Sequence, residues 1–91
     1  MLDIRGNIHR YIEENFSFRT GWEHIGDTDS LLEGGVIDSA SVLSLVIFLE
    51  ETFAISVADE DVVPDNLDSI TKISDYVRRK LGRERDEVAA P

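Results

Sequence analysis

The residues best placed to do chemistry are Asp38 and Ser39. They follow the glycine pair Gly34-Gly35 and open an apolar run in the stretch LLEGGVIDSASVLSLVIFLEETF. Val42, Leu45, Val46, Leu49 and Phe53 recur at i, i+3, i+4, i+7 and i+11, the spacing of one apolar stripe on a helix. The paired glycines reach backbone conformations closed to other residues and mark a turn. A serine hydroxyl therefore stands at the start of a helix, on a glycine-hinged loop, beside a carboxylate. Either side chain can cap the helix, because a short oxygen at that position accepts a hydrogen bond from an orphan backbone N–H. The same placement suits a covalently attached phosphate, since unpaired N–H groups and the positive end of the helix dipole receive an anion well. On these residues alone, simple capping and phosphate attachment both stay open.

More of the chain bears on the choice. Upstream of Asp38-Ser39 lies LLEGGVIDS, downstream the stripe to Phe53, then the acidic segment ADEDVV and finally PDNLDSITKISDYV. Taken together, Leu31 to Val77 resembles the acyl carrier proteins and their peptidyl and aminoacyl carrier relatives. The resemblance implies that Ser39 carries 4′-phosphopantetheine, taken from coenzyme A, with Asp38 as its motif neighbour. It also implies a thioester-bound acyl or aminoacyl cargo and three classes of partner: a phosphopantetheinyl transferase, an adenylating ligase and a downstream transferase. Two departures from the fatty-acid carriers point toward D-alanyl and other stand-alone aminoacyl carriers. Ala40 rather than leucine follows the serine, and Gly35 lies four residues before it rather than three. A small acyl group or an amino acid is the cargo expected from this likeness; a fatty-acid or polyketide type carrier is the alternative.

The helix after Ser39 has more apolar residues than one stripe needs. Leu43 and Ile47 fall to one side of it and Phe48 to the other. Such a helix is either buried around more than half its circumference or presents a docking strip beside Ser39. In the carrier family this helix is the one partners recognise. Leu43 and Ile47, with Ala40 and the terminal acids Glu50 and Glu51, are therefore the expected partner-binding residues, and Phe48 is assigned to the core. A competing reading from another class is an unmodified acidic helical interaction module in which Ser39 has no role beyond its cap.

Other chemistry finds little support. With no cysteine, the chain has neither a thiolate metal site nor a cysteine nucleophile, so any reactive thiol must come from a prosthetic group. His9 and His24 are too few for the usual protein zinc site. Neither Asp27 to Asp38 nor the acids from Asp59 onward have the EF-hand register of alternate oxygen ligands, a glycine at the sixth position and a glutamate at the twelfth. No metal site and no catalytic constellation is expected, and the chain reads as a carrier rather than an enzyme. Nineteen acidic residues against nine basic ones give a net charge of −10, which argues against nucleic-acid binding and favours basic protein partners. No apolar run has the length of a signal peptide core or a membrane span, so the expectation is a cytoplasmic monomer without membrane insertion.

The elements that must position Ser39 follow from the same periodicity. Ile4, Ile8, Tyr11 and Ile12 predict a first helix from Leu2 to about Asn15, weakened by Gly6. Residues 15–38 form a long connection with many apolar side chains, among them Phe16, Phe18, Trp22, Leu31, Val36 and Ile37, which should pin it to the helices. The second helix runs from Ala40 to about Phe53. Asp59 to Val63 reads as a short third helix ended by Pro64, with a turn at Asp65-Asn66. Asp68 or Ser69 caps a last helix carrying Ile70, Ile73, Val77 and Leu81, which Gly82 stops. The predicted fold is all-α: one domain over residues 1–82, an acyl-carrier-like four-helix bundle with three long helices, one short helix and a long first loop. Residues 83–91 are expected to be a disordered tail.

Overall fold

A computed structural model describes residues 3–16 and 26–89, with side chains as far as Gly82. Phe18 and Trp22, expected to pin the connection, lie outside the described residues, as does His24. Four α-helices, three of them long, make up the fold, and no strand occurs among the described residues.

Helix α1 spans Ile4–Phe16. Asp3 starts it by accepting the Gly6 N–H at 3.0 Å, which satisfies one of the orphan donors of the first turn. A Cβ at Gly6 would overlap that carboxylate, so the glycine that weakens the helix also makes room for its cap. The inward face carries Ile8, Ile12 and Phe16, all buried. His9 stays partly exposed, 3.5 Å from Glu13 one turn on.

Helix α2 spans Ser39–Phe53 and buries Leu45, Leu49 and Phe53, the heart of the predicted stripe. Val42 and Val46 pack partly buried against the same core. Phe48 stacks on Tyr11 of α1, ring centroids 4.1 Å apart and nearly parallel, so it joins the edge of the core as expected. Ala54 ends the helix in the left-handed region at φ 53°, a conformation more natural to glycine. Beyond it Ile55 is also buried, so the connector after α2 contributes to the core.

The segment after this differs from expectation. Asp59–Asp61 forms only one 3-10 turn, and the short helix α3 lies further on, at Pro64–Leu67. Pro64 therefore begins the helix rather than ending one. Its fixed φ and missing N–H suit the first helical position, where that N–H would have no partner. The predicted turn at Asp65-Asn66 is helical for the same reason. Tyr76, further along the chain, fastens this stretch: its hydroxyl donates to the Asp61 carboxylate at 2.8 Å.

Helix α4 spans Ile70–Ala89 and packs against α1, α3 and α2. Ile70, Ile73, Tyr76 and Val77 are buried along it, with Leu81 partly so. Gly82 does not stop it, and the helix runs on to Ala89. Glycine costs only about 1 kcal/mol inside a helix, and Arg-Glu-Arg after it are good helix formers. A Cβ at Gly82 would touch nothing within 4 Å, so no close packing demands a glycine there.

The connection ahead of α2 is held by hydrogen bonds at both edges. Arg5 of α1 pairs with the Asp27 carboxylate, and the Asp27 carbonyl accepts the Thr71 N–H of α4 at 2.9 Å. Leu31, Val36 and Ile37 are buried, as their apolar character predicted.

Candidate functional site

The loop that leads to Ser39 is built in two turns. The Ser30 hydroxyl accepts the Glu33 N–H at 3.0 Å, and the Ser30 carbonyl accepts the Gly34 N–H at the same distance. These two bonds close a short turn over residues 30–34. Gly35 then adopts φ 74°, a left-handed conformation that reverses the chain without a Cβ penalty. The reversal brings Val36 and Ile37 back to the start of the loop, where their N–H groups both donate to the Leu31 carbonyl, at 2.9 and 3.3 Å. With both side chains buried, the next residue, Asp38, is delivered to the surface at the head of α2.

Of the two candidate caps, Asp38 takes the role. Its backbone is extended, and its carboxylate accepts the Ser41 N–H at 2.8 Å. Its carbonyl accepts the Val42 N–H at 3.1 Å, the first bond of the helix. Ser39 is thereby the first helical residue, exposed, with its hydroxyl not needed as the cap. The N–H groups of Ser39 and Ala40 precede the first intrahelical bond, so the positive end of the helix lies at this hydroxyl.

Ser39, Leu43 and Ile47 are four residues apart in succession, so they share one face of α2. Leu43 is 65% exposed and Ile47 55%, high values for large apolar side chains. Ala40 is exposed at the head of the same helix and Glu51 near its end. Glu50 behaves differently. It is half-buried, and its carboxylate accepts the Val57 N–H at 3.0 Å, which folds the connector back onto α2. The carboxylate expected to face partners thus already holds an internal bond.

Beside the first turn of α2 lies a small apolar pocket of about 70 Å³. Leu32 and Ile37 of the loop and Val42 of α2 line it, together with Val62, Val63 and Leu67 around α3. Asp68 is the one charged residue in its wall. Its contact with Ser30 is the part of the site that the sequence does not show. Asp68 and Ser69 were interchangeable candidates for the α4 cap. Ser69 takes that role, its hydroxyl accepting the Lys72 N–H at 3.0 Å. Asp68 instead reaches across to the loop, accepting the Ser30 hydroxyl at 2.6 Å and the Leu32 N–H at 2.9 Å.

Among the described residues, no group of three or more histidine, cysteine, aspartate or glutamate side chains comes together in a way that would hold a metal ion. No described helix is long and apolar enough to cross a membrane. No family model matches the chain, and no curated protein matches it either.

Proposed function

We propose that this protein is a carrier of the acyl carrier type, modified with 4′-phosphopantetheine at Ser39. The observation that carries the reading is the exposed face of α2, where a serine hydroxyl at the first helical position is followed by two exposed apolar side chains, Leu43 and Ile47. Because Asp38 supplies the cap, the Ser39 hydroxyl can become a phosphodiester without removing a bond that the helix needs. The anion then lies at the positive end of α2. Attachment transfers the phosphopantetheine group from coenzyme A to the Ser39 oxygen and releases adenosine 3′,5′-bisphosphate. The thiol of the arm supplies the thioester chemistry that a chain without cysteine lacks. A flexible tether keeps cargo at high effective concentration near successive enzymes.

In this reading Leu43 and Ile47 dock the transferase and the loading ligase, with Glu51 and Ala40 at the ends of the strip, while Glu50 acts mainly inside the protein. The net charge of −10 steers basic partner surfaces toward it. A small acyl or aminoacyl cargo fits the interior best. Leu45, Leu49 and Phe53 fill the inward side of α2, and the apolar pocket beside its first turn holds only about 70 Å³.

The test is intact mass after coexpression with a broad-specificity phosphopantetheinyl transferase. The expected result is one added phosphopantetheine group on the wild-type chain and none on Ser39→Ala. An unmodified wild-type chain would return the protein to the acidic interaction modules, and addition at Ser41 would overturn the assignment of the site.

A further inference from the structure

We infer that Asp68 is a positioning residue for Ser39, acting from the head of α4 through the loop; the inference rests on the carrier reading above. Three hydrogen bonds join Asp68 to three consecutive loop residues. Its carboxylate accepts from the Ser30 hydroxyl at 2.6 Å and the Leu32 N–H at 2.9 Å, and its carbonyl accepts from the Leu31 N–H at 2.7 Å. The connection continues toward the site. The Leu31 carbonyl accepts the Val36 and Ile37 N–H groups, and Ile37 directly precedes the capping Asp38. A side chain nearly thirty residues beyond Ser39 in the sequence thus fixes where the modified segment leaves the loop.

Asp68 closes the C-terminal end of α3, where its N–H donates to the Pro64 carbonyl, and its carboxylate is not needed to cap α4, because Ser69 performs that task. Nor is its carboxylate directed at solvent alone, since it is half-buried and both of its oxygens accept from the loop. The pairing with Ser30 spans 38 residues and ties the loop to the junction between α3 and α4. Reaction at a serine hydroxyl needs the attacking oxygen held close to the phosphorus and in line with the leaving group, so a loop that shifts by a fraction of an ångström slows the step. Ser39 adjoins the loop at the start of α2, whereas Leu43 and Ile47 lie one and two turns further along it, so docking should respond less to such a shift.

The experiment is steady-state modification of the full chain by the same transferase, comparing wild type with Asp68→Ala, Asp68→Asn and Tyr76→Phe. Tyr76→Phe removes a comparable tie, to Asp61, away from the loop, and serves as the control for general loosening. Each assay runs where circular dichroism shows the variant folded; Asp68→Asn keeps the size and part of the hydrogen bonding should the alanine variant fail to fold. The expected result is a fall in kcat of tenfold or more for Asp68→Ala, a smaller fall for Asp68→Asn, little change in KM, and wild-type kinetics for Tyr76→Phe. Wild-type kcat in the folded Asp68 variants, or an equal fall in Tyr76→Phe, overturns the inference while leaving the carrier reading intact. A wild-type chain that accepts no phosphopantetheine overturns both.

Discussion

The Asp38 carboxylate accepts the Ser41 N–H at 2.8 Å and thereby separates two roles that adjacent residues could have shared. Asp38 stabilises the helix; Ser39 has no part in that bond. The two positions should respond differently to alanine. Asp38→Ala is expected to destabilise the protein by about 1 kcal/mol, the usual value of a lost cap. Ser39→Ala should change stability by less than about 0.5 kcal/mol, as for an ordinary surface site. Urea unfolding followed by circular dichroism checks both. A larger loss at Ser39 than at Asp38 would mean that the serine is the structural residue.

The exposed strip on α2 makes a second contrast. Ile47→Ser should change stability by less than about 1 kcal/mol while slowing modification or loading of Ser39, because the side chain is more exposed than buried. Leu49→Ala removes a fully buried side chain two residues on and should cost about 2–5 kcal/mol. Similar large losses at both positions would place Ile47 in the core and remove the strip.

Cargo size can be read from the loaded protein. Close-packed interiors accept a long alkyl chain only by displacing side chains, and Leu45 and Leu49 are already buried to within 1%. Loading with a small amino acid is expected to leave the thermal midpoint unchanged and to shift amide signals only near Ser39. Octanoyl loading should behave in the same way. A raised midpoint, with shifts along the inner face of α2, would instead indicate a lipid-type carrier.

Stability should also depend on pH at the alkaline end. Burial raises the Tyr11 phenol above its ordinary value. The folded state then holds this proton more tightly than the unfolded chain. Its contribution is fully present below the unfolded value near about 10, and is lost as pH rises through the folded one. Tyr11→Phe should flatten this part of the decline, measured as urea midpoints across the alkaline range relative to wild type. An unchanged slope would show that Tyr11 ionises equally in both states.

Much of the fold was legible because apolar spacing is a direct consequence of helix geometry. Ile8, Ile12, Leu45, Leu49, Ile73 and Val77 were all assigned to the core from period alone, and all are buried. Leu43 and Ile47 were off the stripe, and the structure leaves both exposed. What escaped was decided by competition between equivalent groups. Asp38 and Ser39, like Asp68 and Ser69, offer the same kind of oxygen one residue apart, and local sequence does not state which N–H each will meet. Pro64 is compatible with either edge of a helix; it takes the first helical position, after a 3-10 turn tied to Tyr76 by the Asp61 hydrogen bond. Glu50 was read as a surface acid because its partner, the Val57 N–H, appears only once the chain has turned at Ala54.

The first turn of α4 has one of its backbone donors satisfied from far away in the chain, beside the local cap of Ser69. Its Thr71 N–H donates to Asp27, and the neighbouring Asp68 carbonyl receives Leu31. A helix nucleus normally forms before distant segments arrive, because local contacts carry little loop-closure cost. Here the head of α4 and the loop before α2 complete each other, so neither is fully formed until both are. The two should open together in hydrogen exchange, with the Leu31 and Thr71 amides sharing one opening free energy. The loop that leads to Ser39 would then be protected by the cooperativity of the whole domain.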